Sequence, residues 1–149
     1  MRKIAISLSK GGVGKTTTAV SLASGLARAG YSVLMIDADT QGQVSRALGV
    51  SPEAGLADLL SGEATPAEAI LEVRDKLYLL AGGRSLAGLK RLIDRKDYGG
   101  EKTLTEGLDQ LDGQYDYAIL DSAPGWDSLT VNVLFYATEI LTPVSMEVL

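Results

Sequence analysis

The stretch Ile4-Ala5-Ile6-Ser7-Leu8-Ser9-Lys10-Gly11-Gly12-Val13-Gly14-Lys15-Thr16-Thr17 decides how the 149-residue chain is read. Ile4 to Leu8 is an apolar run of strand length, and the glycine-rich turn ends it abruptly. From Lys15 the period changes: Ala19, Leu22, Ala23, Leu26 and Ala27 fall on one helical face, and Gly30 stops the helix. A strand, a glycine turn and a helix opening on Lys-Thr together make a phosphate grip. Glycines let the backbone wrap an anion with its N–H groups turned inward. The helix start adds the positive end of its dipole. Lys15 is then placed to bridge the terminal phosphates, the Thr16 hydroxyl to coordinate magnesium, and Thr17 to reach the α-phosphate. The general pattern G-x-x-x-x-G-K-[ST] is not strictly met, because Ser9 stands where its first glycine belongs.

Outward from this loop, short apolar runs alternate with helical stretches. Val33 to Ile36 reads as a second strand, buried on both faces, and ends in Asp37-Ala38-Asp39. Short helices follow, one from Ser51-Pro52-Glu53 with Leu56, Leu59 and Leu60 as its apolar face. Another opens at Thr65-Pro66-Ala67-Glu68, a cap, a proline and a glutamate three after the cap. Leu77 to Leu80 is a third strand, closed by Gly82-Gly83. Helices over roughly 85–95 and 103–111 lead to a fourth strand, Tyr115 to Leu120, ending at Asp121. A helix around Leu129 to Tyr136 and a fifth strand near Ile140 to Val144 complete the pattern. The alternation predicts an α/β fold, a three-layer sandwich around a mostly parallel sheet. Residues 1–149 form one nucleotide-binding domain with its ligand at the carboxyl ends of the strands.

Composition narrows the chemistry. The chain has no cysteine, which excludes thiolate metal sites and iron–sulfur clusters within it, and no histidine, which removes the usual general base. Acid–base work falls to Asp, Glu, Lys or water. The net charge of −5 opposes a whole-surface attraction to nucleic acid. No apolar run approaches the ~20 residues of a membrane span, and Met1-Arg2-Lys3 enters a strand with no leader pattern, so a cytoplasmic location is expected. Met146-Glu147-Val148-Leu149 comes just after a strand with no closing helix, which suggests a truncated chain or one whose final helices come from elsewhere.

Lys10-Gly11-Gly12-Val13-Gly14-Lys15-Thr16 resembles the deviant Walker A motif, K-G-G-x-x-K-[ST], of the ParA/MinD family of partition and division-site ATPases. The resemblance implies ATP and Mg2+ as ligands, with Lys10, Gly11, Gly12, Val13, Gly14, Lys15, Thr16 and Thr17 around the nucleotide. It also implies that Lys10 reaches across a dimer interface to the nucleotide of the partner subunit. Asp37-Ala38-Asp39-Thr40-Gln41-Gly42 is similar to the family segment D-x-D-P-Q-G, with Thr40 in place of proline. By that match Lys10, Lys15 and Asp39 are catalytic, Asp39 acting on the attacking water. Asp37 lies near the magnesium shell with Thr16 and Asp121. Two carboxylates at i and i+2 of an extended chain are expected to point the same way, toward the phosphate loop if the strands are neighbours. The strand ending in Asp121 has the Walker B pattern, a carboxylate holding magnesium through water. Asp121-Ser122-Ala123-Pro124 resembles the family's γ-phosphate-sensing D-x-P-P segment, with Ala123 for the first proline.

The resemblance covers nearly the whole chain. It implies a ParA-like ATPase that dimerises on ATP, is activated by a ParB-like partner protein and acts in DNA partition or cargo positioning, with non-specific DNA as a further partner. Rival readings remain open: a MinD-like membrane-associated division-site regulator, a P-loop amide ligase or kinase, and a non-catalytic scaffold. Arg84, Lys90, Arg91, Arg95 and Lys96 gather on one helix among Asp94 and Asp97, a mixture more typical of a solvated face than of a nucleic-acid contact. Trp126, a lone tryptophan, is expected to be packed.

Overall fold

Leucine- and isoleucine-rich runs too short for helices become strands of one sheet. The computed structural model describes residues 1–7, 12, 14–144 and 146. Its strands are β1 (Arg2–Ile6), β2 (Val33–Ala38), β3 (Ile70–Arg74), β4 (Leu77–Leu80), β5 (Tyr117–Ser122) and β6 (Glu139–Leu141). They lie in the order β3-β4-β2-β5-β1-β6, parallel throughout except where the edge strand β3 runs against β4. The helices are α1 (Lys15–Arg28), α2 (Gln43–Leu48), α3 (Leu56–Ser61), α4 (Pro66–Ala69), α5 (Leu86–Asp94), α6 (Thr103–Leu108) and α7 (Ser128–Tyr136), with short 3-10 turns at Gly100–Lys102 and Asp109–Leu111.

The period-two alternation of the strands sorts the core into two layers. Val33, Met35, Leu77, Leu79, Ile6 and Ile119 face α1 and α2, whose Ala19, Ala23, Val44 and Leu48 cover them. Leu34, Ile36, Leu80, Ala118 and Leu120 face the opposite layer, supplied by α3, α5, α6 and α7. Alanines 19 and 23 on the buried side of α1 let that helix lie close to the sheet. Each fully buried leucine or isoleucine contributes roughly 1.5–3 kcal/mol relative to exposure. The expected three-layer architecture is present.

β5 separates β1 from β2, so the two amino-terminal strands are not neighbours. The chain leaves β1 through α1 on one face and leaves β5 through α7 on the other. That divergence opens a crevice at the carboxyl ends of the central strands, where such sheets bind ligands.

Several local expectations need correction. The helix expected from Ser51 begins at Leu56 instead, where the Asp58 carboxylate accepts the Gly55 N–H at 2.8 Å. Gly55 passes so close to the Ala81 carbonyl that no side chain fits there, which holds the approach extended. The helix signalled at Thr65-Pro66 does form its capping bonds, with Thr65 N–H and hydroxyl both donating to Glu68. It lasts four residues, because Ile70 onward pairs with β4 as a strand that sequence reading missed. Helix α2 was also unanticipated; left-handed glycines, Gly42 and Gly49, bound it at both ends. The final strand is Glu139–Leu141, earlier and shorter than expected.

Asn132 pins α7 from within. Its carbonyl accepts the Leu104 N–H at 3.0 Å, and its amide donates to the Gly100 and Ser128 carbonyls at 2.9 Å. Replacing Asn132 with leucine strands buried backbone groups, so Asn132→Leu is expected to lower stability by about 2–4 kcal/mol in urea unfolding. A loss under 0.5 kcal/mol would mean that the network carries little.

Candidate functional site

The site begins with an uncapped helix. Gly14, left-handed at φ 77°, sits at the N-cap of α1 without a side chain, and no acidic residue occupies the first turn. The first-turn N–H groups and the positive dipole end are therefore available to an external anion. Gly12 is also left-handed, at φ 70°. Lys10, Gly11 and Val13 lie outside the described residues, so their expected roles rest on sequence alone.

Behind this helix start stand the carboxylates. Asp37 and Asp121 are register partners on adjacent parallel strands, at the α1 side of the sheet by the alternation of Val33, Met35 and Ile119. Thr16 donates from its hydroxyl to Asp121 Oδ2 at 2.6 Å, joining the first turn of α1 to the end of β5. Its oxygen also lies 3.4 Å from Gln43 Oε1. Asp121 is 1% exposed, and its buried Oδ1 has no hydrogen-bond partner among the described residues. Burial pushes its carboxyl up to about 6, with Asp39 repulsion adding to the rise and the Thr16 bond and Lys15 charge opposing it. Ser122 donates to the Ile6 carbonyl at 3.0 Å and so ties β5 to β1 at this point.

Asp37 is fully enclosed and holds its own turn. Its oxygens accept the Asp39 N–H at 3.0 Å and the Val44 N–H at 3.3 Å. Burial, with Asp121 and Asp39 charges behind it, raises its carboxyl to about 7. Asp39 instead lines an open cavity of about 180 Å³ with Gly12, Gly14, Thr16, Gln43 and Pro124, and Lys15, Thr17 and Ser122 complete the wall. The expected parallel pair of carboxylates is thus divided: one is enclosed by backbone donors and one faces the cavity. The strands of the phosphate loop and of Asp37 are separated by β5, and Asp121 bridges between them.

Four features escaped sequence reading. Gln43, the first residue of α2, reaches the cavity because Gly42 turns the chain there; only its place after Asp37-Ala38-Asp39 hinted at it. Gly82 lies against the acidic turn so tightly that a Cβ would fall 2.6 Å from the Asp37 carbonyl oxygen and 2.7 Å from that of Asp39. Lys90, read as part of a solvated face, pairs with Asp127 at 2.7 Å. Trp126, expected to be packed, is 72% exposed.

The residues present fit a divalent cation beside a phosphate. Among the described residues no three carboxylates gather as a metal cage. The Thr16 hydroxyl and the orphaned Asp121 oxygen are hard donors of the kind magnesium takes when phosphate and water complete its shell.

The whole chain, residues 1–149, matches the family model for an AAA domain. It is 40% identical over 147 residues to the chromosome-partitioning ATPase Soj of Thermus thermophilus, a match covering 99% of this chain and 56% of that protein. Cobyrinic acid a,c-diamide synthase from Mycobacterium smegmatis, solved with an ATP analogue and magnesium, superposes with a TM-score of 0.89 at 33% identity. That match covers 97% of this chain and 60% of the synthase. An ATP complex of McdA from Cyanothece gives a TM-score of 0.87 at 29% identity, covering 96% of this chain and 56% of McdA. The chain therefore spans little more than half the length of the relatives it matches. Among the described residues no helix is long and apolar enough to cross a membrane.

The raised carboxyls set a pH dependence. Between an ordinary aspartate value of ~4 and the folded value of about 7, the folded chain holds the Asp37 proton and the unfolded chain does not. Stability of the ligand-free chain therefore falls as pH rises through that window, by an amount on the order of 4 kcal/mol from Asp37. Asp37→Asn keeps a carbonyl for the Asp39 N–H and removes the titration. Urea unfolding of both forms at pH 5 and pH 7.5 should show the wild-type decline flattened in the variant; equal slopes would contradict the assigned burial effect.

Proposed function

The chain belongs to the AAA-domain family, in its ParA/MinD-type group of deviant Walker A ATPases, and on that premise we propose that it binds Mg-ATP and works as a partition-type ATPase switch. The observation that carries the reading is the Thr16–Asp121 hydrogen bond at the uncapped start of α1, with Asp39 lining the same cavity. Those parts are what phosphoryl transfer from ATP to water requires: a grip on the phosphates, a cation site and a carboxylate beside the attacking water.

Lys15, Thr17 and the backbone from Gly11 to Gly14 hold the phosphates, and Lys10 contacts the nucleotide of the partner subunit. Thr16 and Asp121 hold magnesium, with Asp37 ordering the turn behind them. Bound magnesium supplies neutralising charge on the phosphate oxygens. Asp39 positions the water for in-line attack on the γ-phosphorus, and ADP and phosphate are released. Catalysis is chiefly positional and electrostatic. Intrinsic turnover is slow, well below the ~10 s⁻¹ typical of metabolic enzymes. A ParB-like protein accelerates it, and the cargo is DNA or a DNA-bound complex. The identity to Soj over nearly the whole chain supports this over the division-site alternative.

A second reading has one specific support. The superposition on a cobyrinic acid diamide synthase favours an amide-forming ligase, in which the same loop delivers phosphate to a substrate carboxylate. ADP release that depends on an added carboxylate substrate would single out that reading.

Size exclusion with light scattering of Asp39→Ala, with and without Mg-ATP, tests the switch. The expected result is a monomer that becomes a dimer with ATP and fails to do so once Lys10→Ala is added. Fluorescent ATP should bind wild type and Asp39→Ala alike but Lys15→Ala at least about tenfold more weakly. A chain that binds ATP and stays monomeric throughout would overturn the dimer switch. No ATP binding at all would overturn the reading as a whole.

A further inference from the structure

Helix α5 is tied to the site at two points. At its start the Gly83 N–H donates to the Asp39 carbonyl at 3.0 Å, with Gly82 packed against the same turn. Midway along, the Lys90 ammonium lies 2.7 Å from Asp127 Oδ2. The other oxygen of Asp127 accepts the Thr130 N–H at 2.8 Å and caps α7. Asp127 follows Pro124 by three residues, and Pro124 lines the same cavity as Asp39. The acidic turn and the turn after β5 therefore both bear on α5.

The outer side of α5 is open on both flanks. One cleft, of about 450 Å³, runs between Thr40 and Gln41 on one wall and Arg84, Lys90 and Arg91 on the other. The second, of about 350 Å³, is lined by Leu89, Leu92 and Arg95 with Ala57 and Asp58 of α3. Arg91 belongs to both. Among the described residues the guanidinium groups of Arg84, Arg91 and Arg95 make no ion pair or hydrogen bond, although the chain carries a net charge of −5. Leu92 is 55% exposed between the arginines. Gly88, mid-helix on the second cleft, has only the Arg91 guanidinium within 4 Å of where a Cβ would sit, so internal packing does not demand a glycine there.

Guanidinium groups without partners alternate here with an exposed leucine, and carboxylates of Asp58, Glu63 and Asp94 stand on the rims. Duplex DNA presents an evenly spaced line of phosphates that cannot avoid Asp58, Glu63 and Asp94, and its thymine methyls lie recessed in the major groove; a peptide can set separate carboxylates against the arginines and a leucine against Leu92. An acidic helical segment with leucines on one face satisfies both the arginines and the leucine. We propose that the outer face of α5 docks an acidic, leucine-bearing segment of a partner protein, and that the Asp39–Gly83 and Asp127–Lys90 links make this docking respond to the bound nucleotide. The nucleotide response rests on the proposed function; the docking face does not. Lys90 acts as a positioning residue for the coupling and touches neither the phosphates nor the reacting water.

The test is fluorescence anisotropy of a labelled peptide of roughly 15 residues, glutamate-rich with leucines at i and i+4. It is titrated with the chain in Mg-ADP and in a magnesium-bound non-hydrolysable ATP analogue. Saturable binding is expected, with affinities differing by at least about 5-fold between the nucleotides. Arg84→Glu and Arg91→Glu should each weaken it by about tenfold. Lys90→Met should bind the peptide but lose the difference between nucleotides, and Lys90→Arg should restore it. Absence of saturable binding, indifference to both arginine changes, or a full nucleotide response in Lys90→Met would overturn the proposal. So would tighter binding of a DNA duplex of about 20 base pairs with the same arginine dependence. Parallel titration with fluorescent ATP separates the two readings. Loss of nucleotide binding counts against the ATPase, whereas peptide binding to the nucleotide-free chain still reports on the arginines.

Discussion

A threonine hydroxyl donating to a buried aspartate, Thr16 to Asp121, is the contact around which the site is organised. It joins two segments 105 positions apart and lies at the point where three parallel strands end. Asp121 is enclosed and so has a strong preference for a hydrogen-bond donor or a cation, since an ionised carboxylate left bare in the interior is costly. The hydroxyl meets half of that need. The remaining oxygen, unpartnered, is where a cation has most to offer.

The fold makes that concentration of charge tolerable. Parallel pairing of β2, β5 and β1 in one register brings Asp37 beside Asp121, and a layer of apolar side chains isolates both from solvent. Desolvation raises both carboxyls, with the Asp121 and Asp39 charges adding at Asp37 and the Asp39 charge adding at Asp121, and backbone N–H groups of the Asp39 turn and of α2 offset part of the penalty on Asp37. The buried carboxyls thus carry an electrostatic cost that a divalent cation beside them can relieve. Binding sites commonly accept such a local cost.

The same arrangement explains why α5 belongs to the site although none of its side chains lines the phosphate cavity. Two backbone glycines place its start against Asp39, and one ion pair places its middle against the turn that carries Pro124. These short contacts are the basis of the proposed coupling between the turns and the helix.

Local chemistry was legible in the sequence. The change of period at Lys15, the uncapped glycine turn, and apolar runs ending in Asp37 and Asp121 suffice for a mostly parallel sheet with a phosphate site at its carboxyl edge, because each signal lies within a few residues. What tertiary structure decided involves separations that periodicity does not encode. Insertion of β5 between β1 and β2 set which carboxylates meet; close approach at Gly55 and Gly82 depended on a distant strand; pairing with β4 made a strand of Ile70–Arg74, to which the sequence alone assigns no element. Lys90 looked like any surface lysine until the turn after β5 brought Asp127 within 2.7 Å of it. Sequence determines the local preference of a segment; long-range packing chooses its neighbours, and a charge acquires its role from the neighbour it meets.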